Sequence, residues 1–341
     1  MSSYEPSSNE TQHPSVLCLV ETDDGTVIEA SLRALSFARS LAQSSQARLI
    51  AALVGEIPEI TASSLGSFGV DEAYAVTSTQ LSPYAPVAWA QALRQLLVTC
   101  GATTLLAAGS DRGNEVMAHV GALTSEPMAA NCFAATRIDD ETVRLSRQRW
   151  AGSLIEDSLL RSTTALMTVA FDGVSSQRAE HATGTKISAF APNLDESDGR
   201  THVARWTGRS AGISLADARV VVGGGRGVGS ADGFAALDEL AELLGGAVGV
   251  SRAVTSLGWR PHNQQVGQTG TRIAPDLYLV SGISGATQHL AGCQSAKRVV
   301  AINTDPDAPI ISRADYAVIG DLNQIIPALA AAIRERNSLT S

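Results

Sequence analysis

The feature that most constrains this chain is an alternation. Short apolar runs, each bounded by turn residues, recur between segments whose apolar residues return at helical spacing. Val16 to Val20 is the first such run. Glu29 to Gln43 follows, with Leu32, Leu35, Ala38, Leu41 and Ala42 spaced along one face of a helix. Leu49 to Val54 then reads as a strand, Pro86 to Cys100 as a helix, and Thr104 to Ala108 as a strand. Ser110 to Leu123 opens on a hydroxyl cap and reads as a helix. Strands that alternate with helices predict a parallel sheet, so the fold class is α/β. Within this half, Gly109-Ser110-Asp111-Arg112-Gly113 is a candidate nucleotide loop, but it reads first as an ordinary helix cap.

From Asn131 the pattern changes. Thr142 to Leu145 and Ala165 to Ala170 read as strands, with Trp150-Ala151-Gly152 as a turn between them. Asp172 to Asp217 is polar, with Gly, Pro and Ser scattered through it. It holds the connection between domains, with short strands at Lys186 to Phe190 and His202 to Trp206. A length of 341 residues suits two domains. The expected organisation is a tail at 1–13, an N-terminal nucleotide-binding-like α/β domain with its connecting segment at 14–210, and a second domain at 211–341.

The second domain opens with Ala218 to Val222 as a strand, Gly223 to Ser230 as a glycine loop, and Ala231 to Leu244 as a helix. Ala247 to Val250, Leu277 to Val280 and Arg298 to Ile302 read as further strands. Leu322 to Glu335 reads as a final helix that Pro327 would kink. This predicts a doubly wound parallel sheet, yet the dinucleotide fingerprint fails. Gly225 and Gly227 are in place, but Ser230 stands at the sixth position, and no lysine follows Gly229 as a P-loop would need. The strand to Val250 ends in Ser251-Arg252, not in a ribose-binding acid.

The net charge of −9 argues against nucleic acid and against an anionic membrane as partners. No apolar run is long enough to span a bilayer. The first residues, MSSYEPSSNETQHP, lack the basic and apolar segments of a secretory or mitochondrial signal. Cys18, Cys100, Cys132 and Cys293 lie far apart beside apolar runs. That spacing predicts buried free thiols in a reducing cytoplasm, with no metal site. No Ser/His/Asp or Cys/His constellation is evident, so no catalytic nucleophile is expected.

The densest run of glycines and hydroxyls is Val266 to Asn303. Its core, Ser281 to His289, reads as a strand end, a tight glycine turn and a helix start. Such a turn exposes N–H groups at the positive end of a helix, where an anion can bind. The runs GQTG, APDLY, GISGATQHLAG and AINTDP resemble the C-terminal part of the alpha subunit of electron transfer flavoprotein. The similarity continues through Gly224 to Gly227 and Ser251-Arg252 upstream. Downstream it takes in Ala308 to Ile310, Ala314 to Tyr316 and Gly320 to Leu322.

The resemblance implies a non-covalently bound FAD in the second domain and a first domain that serves as scaffold for a beta subunit in a heterodimer. It implies an electron carrier and not an enzyme. Electrons would come from flavin dehydrogenases, such as the acyl-CoA dehydrogenases of fatty acid beta-oxidation, and pass to a membrane-associated quinone oxidoreductase. It places His289 at the pyrimidine edge of the flavin, as a neutral or cationic donor to the C2 carbonyl. On residue types alone, a histidine that packs on its own helix is equally open. Arg252 would lie over the isoalloxazine ring, where an always-charged guanidinium suits an electron-rich system. Gln268 and Thr269 would lie close to the ring, with Thr269 near N5.

By the same resemblance, Arg226, Ser251, Ser284, Asn303, Asp321 and Leu322 contact FAD. Val266, Gly267, Gly282, Gly285, Ala286, Thr287 and Gln288 complete the set. Asp321 would accept from hydroxyls or from the adenosine part. The sequence departs from the family pattern at Thr271, Arg272, Thr287 and Cys293, none of which removes a flavin-contacting type. Two rivals stand beside this reading. One is an NADP-dependent oxidoreductase with Arg252 on the 2′-phosphate; the other is a non-redox adenine-nucleotide module.

Overall fold

The computed structural model describes residues 14–152, 154–171, 173–204, 213–216 and 218–340, without the side chains of 151 and 337–340. The chain divides into two compact units, Met1–Trp150 with Leu154–Thr207 and Ala151–Ser153 with Gly208–Ser341.

The first unit is built around β1 (Ser15–Leu19), whose residues are all buried. Side chains alternate across a strand. Val16 and Cys18 therefore enter one core, while Leu17 and Leu19 enter another on the opposite face. A two-residue hairpin, β2 (Thr22–Asp23) with β3 (Thr26–Val27), leads to α1 (Glu29–Ser44), which buries Ala34, Leu35, Ala38 and Leu41 in the first core. Next come β4 (Arg48–Val54), α2 (Glu59–Ser67) and β5 (Glu72–Val76). α3 (Pro86–Cys100) has proline at its first position and Gly101 in the left-handed region at its end, the start and stop that fit a helix. After β6 (Ala102–Ala108), α4 (Asp111–Thr124) joins α3 over the second core.

The remaining strands are β7 (Met128–Asp139), β8 (Thr142–Arg149), β9 (Leu154–Arg161), β10 (Ala165–Val169) and β11 (Lys186–Phe190). Among the described residues, the sheet runs β11-β5-β4-β1-β6-β10-β7-β8-β9. It is parallel as far as β7, and β8 and β9 continue it antiparallel. Several expectations change here. β2, β3, α2, β5, β7 and β9 are additional elements. β7 is largely half-buried and β9 mostly exposed, and both mix polar with apolar residues, so neither shows a continuous buried run. His202 to Ala204 form no strand, and Trp206 lies outside the described residues, as do the expected tail and the expected boundary at Ala211.

The second unit holds β12 (Val220–Gly224), α5 (Ala235–Leu243), β13 (Ala247–Val250), α6 (Arg252–Ser256), β14 (Leu277–Ser281) and α7 (Thr287–Leu290). It ends with β15 (Val299–Asn303), β16 (Tyr316–Ile319) and α8 (Leu322–Thr340). All five strands are parallel, in the order β13-β12-β14-β15-β16. α8 runs through Pro327 and ends later than expected. The helix expected from Ala231 starts as a short 3-10 turn, Asp232–Phe234, before α5.

β12 reaches two residues further than its apolar run. Gly223 and Gly224 belong to the strand and not to the loop, because a Cβ on Gly223 would lie 2.7 Å from the Tyr278 ring and one on Gly224 2.4 Å from the Phe234 ring. These glycines open slots for aromatic side chains. Elsewhere all four cysteines are buried free thiols, and burial pushes Cys18, Cys132 and Cys293 up to about 12. Among the described residues no helix is long and apolar enough to cross a membrane.

Tyr278 is fully buried and its ring cannot swing aside. Gly223→Ala is therefore expected to destabilise the second unit by about 1–3 kcal/mol, the usual cost of overpacking. Denaturant titration checks it; a midpoint equal to wild type would contradict the slot.

Candidate functional site

Because the second sheet is wholly parallel, every loop that follows a strand emerges at one edge. The chain leaves β12 toward β13 on one side, while β14 lies on the other, so the switch point falls between β12 and β14. Crevices at such points are where open α/β sheets bind ligands. The two loops meet there backbone to backbone. Gly225 N donates to the Ser281 carbonyl at 2.9 Å and Gly227 N to the Gly282 carbonyl at 3.1 Å. A Cβ on Gly225 would lie 2.1 Å from the Gly282 carbonyl oxygen, so only glycine admits this approach.

The loop after β13 adds the next wall. Ser251 N donates to the Gly224 carbonyl at 3.1 Å, and Arg252, the first residue of α6, is exposed. The chain then returns. Val266 N donates to the Val250 carbonyl at 2.9 Å, and Gln268 N to the Gln288 carbonyl at 2.8 Å. A Cβ on Gly292 would lie 2.4 Å from Gly267. The turn around Gly267 is thus pressed onto α7, which places Gln268 and Thr269 beside Gln288 and His289.

Two further loops complete the edge. Ile310 N donates to the Ser284 carbonyl at 3.1 Å, and Gly285, at φ +84, turns the chain there. The Asn303 amide donates to the Ile283 carbonyl at 3.0 Å. Asp321 caps α8 by accepting from Asn323 N at 2.9 Å, which uses one of its carboxylate oxygens.

This edge gathers all the residues that the sequence pointed to. Arg226, Arg252, Gln268, Thr269, Ser284, Ala286, Thr287, Gln288 and Asp321 are exposed. Ser251, Gly282 and Asn303 are half-buried, while Val266, Gly267, Gly285 and Leu322 are buried. Leu322 fills the space beside Gly282. One expectation weakens: α7 is a single turn, Thr287–Leu290, so little helix dipole points at the crevice.

His289 does not point into water. It is 6% exposed, its Nε2 lies 2.8 Å from the Tyr278 hydroxyl, and its Nδ1 is buried without a hydrogen bond. Burial pushes its pKa from 6.5 down to about 4, with the Val266 carbonyl acting weakly against the fall. In these surroundings the ring is neutral at pH 7. Its packing partner is β14, and not its own helix.

Two residues matter here that sequence reasoning passed over. One is Tyr278. The other is Gln265, 2% exposed, whose amide donates to Thr269 Oγ1 at 3.0 Å and accepts from Thr255 at 2.6 Å. Both are polar side chains among apolar neighbours, which need a buried partner, and that is the signal that would have found them.

The first unit offers no comparable set. Ser110 caps α4 by accepting from Gly113 N at 2.8 Å and donates to the Glu21 carboxylate, so the candidate nucleotide loop is a helix cap. A cavity of about 980 Å³ lies beside Gly55, Ser78, Tyr84, Trp89 and Arg112. The Arg112 guanidinium there is already stacked on Tyr84 at 5.0 Å and on Trp89 at 5.4 Å.

Residues 16–193 match the electron transfer flavoprotein domain, and residues 214–294 match the electron transfer flavoprotein FAD-binding domain. The chain belongs to the electron transfer flavoprotein alpha subunit family. The alpha subunit from Thermoanaerobacterium thermosaccharolyticum is 33% identical over 317 residues, covering 92% of this chain and 96% of that protein. The alpha subunit from Bacillus subtilis is 30% identical over 323 residues, covering 94% and 98%. Protein FixB from Bradyrhizobium diazoefficiens is 32% identical over 341 residues, covering 94% and 89%.

The residues present fit the FAD that this family's second domain binds. His289 Nδ1 and Ser281 Oγ, both at this edge, are buried without a partner. Their neighbours Gly225, Gly267 and Gly282 hold the backbone without side chains. Arg226 and Arg252 supply exposed cations for phosphates or for an electron-rich ring.

The buried imidazole also gives the family fold a pH signature. Between pH 6.5 and 4 the unfolded chain binds a proton on His289 and the native chain does not. Its contribution is fully present above 6.5 and falls by about 1.4 kcal/mol per pH unit below it. His289→Gln lacks this titration. The stability difference between wild type and variant should therefore shrink between pH 7 and pH 5 in denaturant titrations; a constant difference would contradict the burial.

Proposed function

We propose that this chain is the alpha subunit of a heterodimeric electron transfer flavoprotein that carries one FAD in the crevice between β12 and β14. It accepts electrons from flavin dehydrogenases such as acyl-CoA dehydrogenases and hands them to a quinone oxidoreductase, in the cytoplasm. The observation that carries this reading is the junction of the turn around Gly267 with α7. It sets Gln268, Thr269, Gln288 and His289 side by side at the switch point.

Bound FAD supplies the one- and two-electron chemistry. The chain's own residues set where that chemistry occurs and how easily. Arg252, exposed at the head of α6, would bring a permanent positive charge to the ring and so favour the reduced, more negative state. His289 holds a neutral N–H toward the pyrimidine edge. A hydrogen bond to a charged acceptor is worth about 1.5–3 kcal/mol, more than one to a neutral acceptor, so this contact also gains when charge arrives. Thr269, tied to α6 through Gln265, would stand near N5. Asp321 would accept from hydroxyls or from the adenosine part, and Asn303 would contact FAD. The first unit, with Ser110 already committed to Gly113 and Glu21, serves as the scaffold for the beta subunit.

Purification with the beta subunit co-expressed tests the reading. One heterodimer should elute, yellow, and release one FAD per alpha chain on denaturation. A colourless protein that binds NADPH would contradict it, and so would a stable flavin-loaded alpha chain on its own.

Arg252→Ala should weaken FAD retention about tenfold or more, or lower the midpoint potential by tens of millivolts. Tenfold in equilibrium corresponds to about 59 mV for one electron. Equilibrium dialysis and a reductive titration read the two effects. Unchanged retention together with an unchanged potential would remove Arg252 from the ring.

A further inference from the structure

We propose that Tyr278 is a positioning residue, whose hydroxyl donates to His289 Nε2 and fixes the imidazole as the tautomer that carries its proton on Nδ1. The inference rests on the reading of His289 as a flavin-facing donor and says which of its nitrogens holds the proton. A count of protons carries it. Tyr278 is fully buried, and among the described residues its hydroxyl has one hydrogen-bond partner, His289 Nε2 at 2.8 Å. A hydroxyl has one proton to give, and a neutral imidazole has one N–H and one bare nitrogen. If Nε2 held the ring proton, the tyrosine proton would be buried with no acceptor, at the cost of an unmade hydrogen bond. With Nε2 bare, the tyrosine proton is satisfied and the ring proton sits on Nδ1. That nitrogen makes no full hydrogen bond within the chain, but the Val266 carbonyl favours a ring proton, so the Nδ1 proton has a group to face where a stranded tyrosine proton would have none.

The geometry holds the pair in this relation. The two rings lie 6.1 Å apart at 27°, close to parallel. Tyr278 sits on β14, between β12 and β15, and Gly223 on β12 opens the slot for its ring. The Cys293 thiol lies 3.6 Å from the His289 carbonyl, so the segment that carries the histidine is tied down from below as well. Because the ring is neutral at pH 7, its tautomer decides whether Nδ1 offers a proton or a lone pair. A lone pair there would repel a carbonyl oxygen; a proton attracts it. Tyr278 thus acts on the cofactor only through His289.

The test uses the full heterodimer with ¹⁵N-labelled histidine, before and after removal of FAD. Two-bond ¹⁵N–¹H correlation spectra at pH 7 distinguish the neutral tautomers, and the His289 signals are those absent from His289→Ala. Wild type should show the Nδ1–H pattern in both states. Tyr278→Phe, which keeps the ring and removes the hydroxyl, should lose that preference once FAD is removed. It should also lower the potential of the first electron while FAD content stays within about twofold of wild type. An Nε2–H pattern in wild type overturns the proposal whatever Tyr278→Phe does, so the test survives a variant that fails to fold. A tautomer as expected, with potentials unchanged in both Tyr278→Phe and His289→Ala, upholds the role of Tyr278. That result overturns instead the reading of His289 as a flavin-facing group.

Discussion

The contact of Gly225 with Gly282 is made of backbone alone, and the second unit is arranged around it. It joins the loops of the two strands at the switch point, where no side chain could stand between them. Parallel strands then bring the loops after β13, β15 and β16 to the same edge. The turn around Gly267, pressed onto α7 through Gly292, extends the floor so formed. What results is a crevice lined by glycines and other small residues, with Arg226 and Arg252 exposed beside it. A long cofactor with phosphates at its centre and a planar ring at one end suits such a surface better than a compact substrate does.

Desolvation sets the electrostatics of that crevice. Water would keep His289 near its ordinary pKa of 6.5, but burial takes it to about 4, so the group is a fixed dipole and not a titrating charge. Permanent positive charge comes from arginines, which do not lose it in the physiological range. The division separates two tasks. On the proposed reading, Arg226 and Arg252 would provide charge that attracts, while His289 would provide a directed N–H whose orientation depends on Tyr278 on β14.

Much of this was readable in the chain, and the parts that were not have physical reasons. β1, β4, β6 and β10 are buried, so their runs stand out. The apolar periodicity of α1 and α3 survives because each covers a sheet face. β7 joins the parallel part of the first sheet to its antiparallel part and is largely half-buried, and β9 is mostly exposed, so neither needs an apolar run. Gly223 and Gly224 read as loop because glycine is rare inside strands; the Tyr278 and Phe234 rings, distant in sequence, explain them. The residues gathered at the carboxyl edge of the second sheet were readable as motifs. The state of His289 was not, since its pKa and its tautomer depend on what covers it, and no spacing along one segment records that.

The central claim is that FAD occupies the carboxyl edge of the second sheet. Hydrogen exchange measured by mass spectrometry, with and without FAD, tests it most directly. The account predicts slower exchange at Gly225 to Gly229, at Gly267 to Thr271 and from Gly282 to Gly292, with no change at Val76 to Tyr84 beside the cavity of the first unit. Protection at Val76 to Tyr84, with the second-unit loops unaffected, would contradict it.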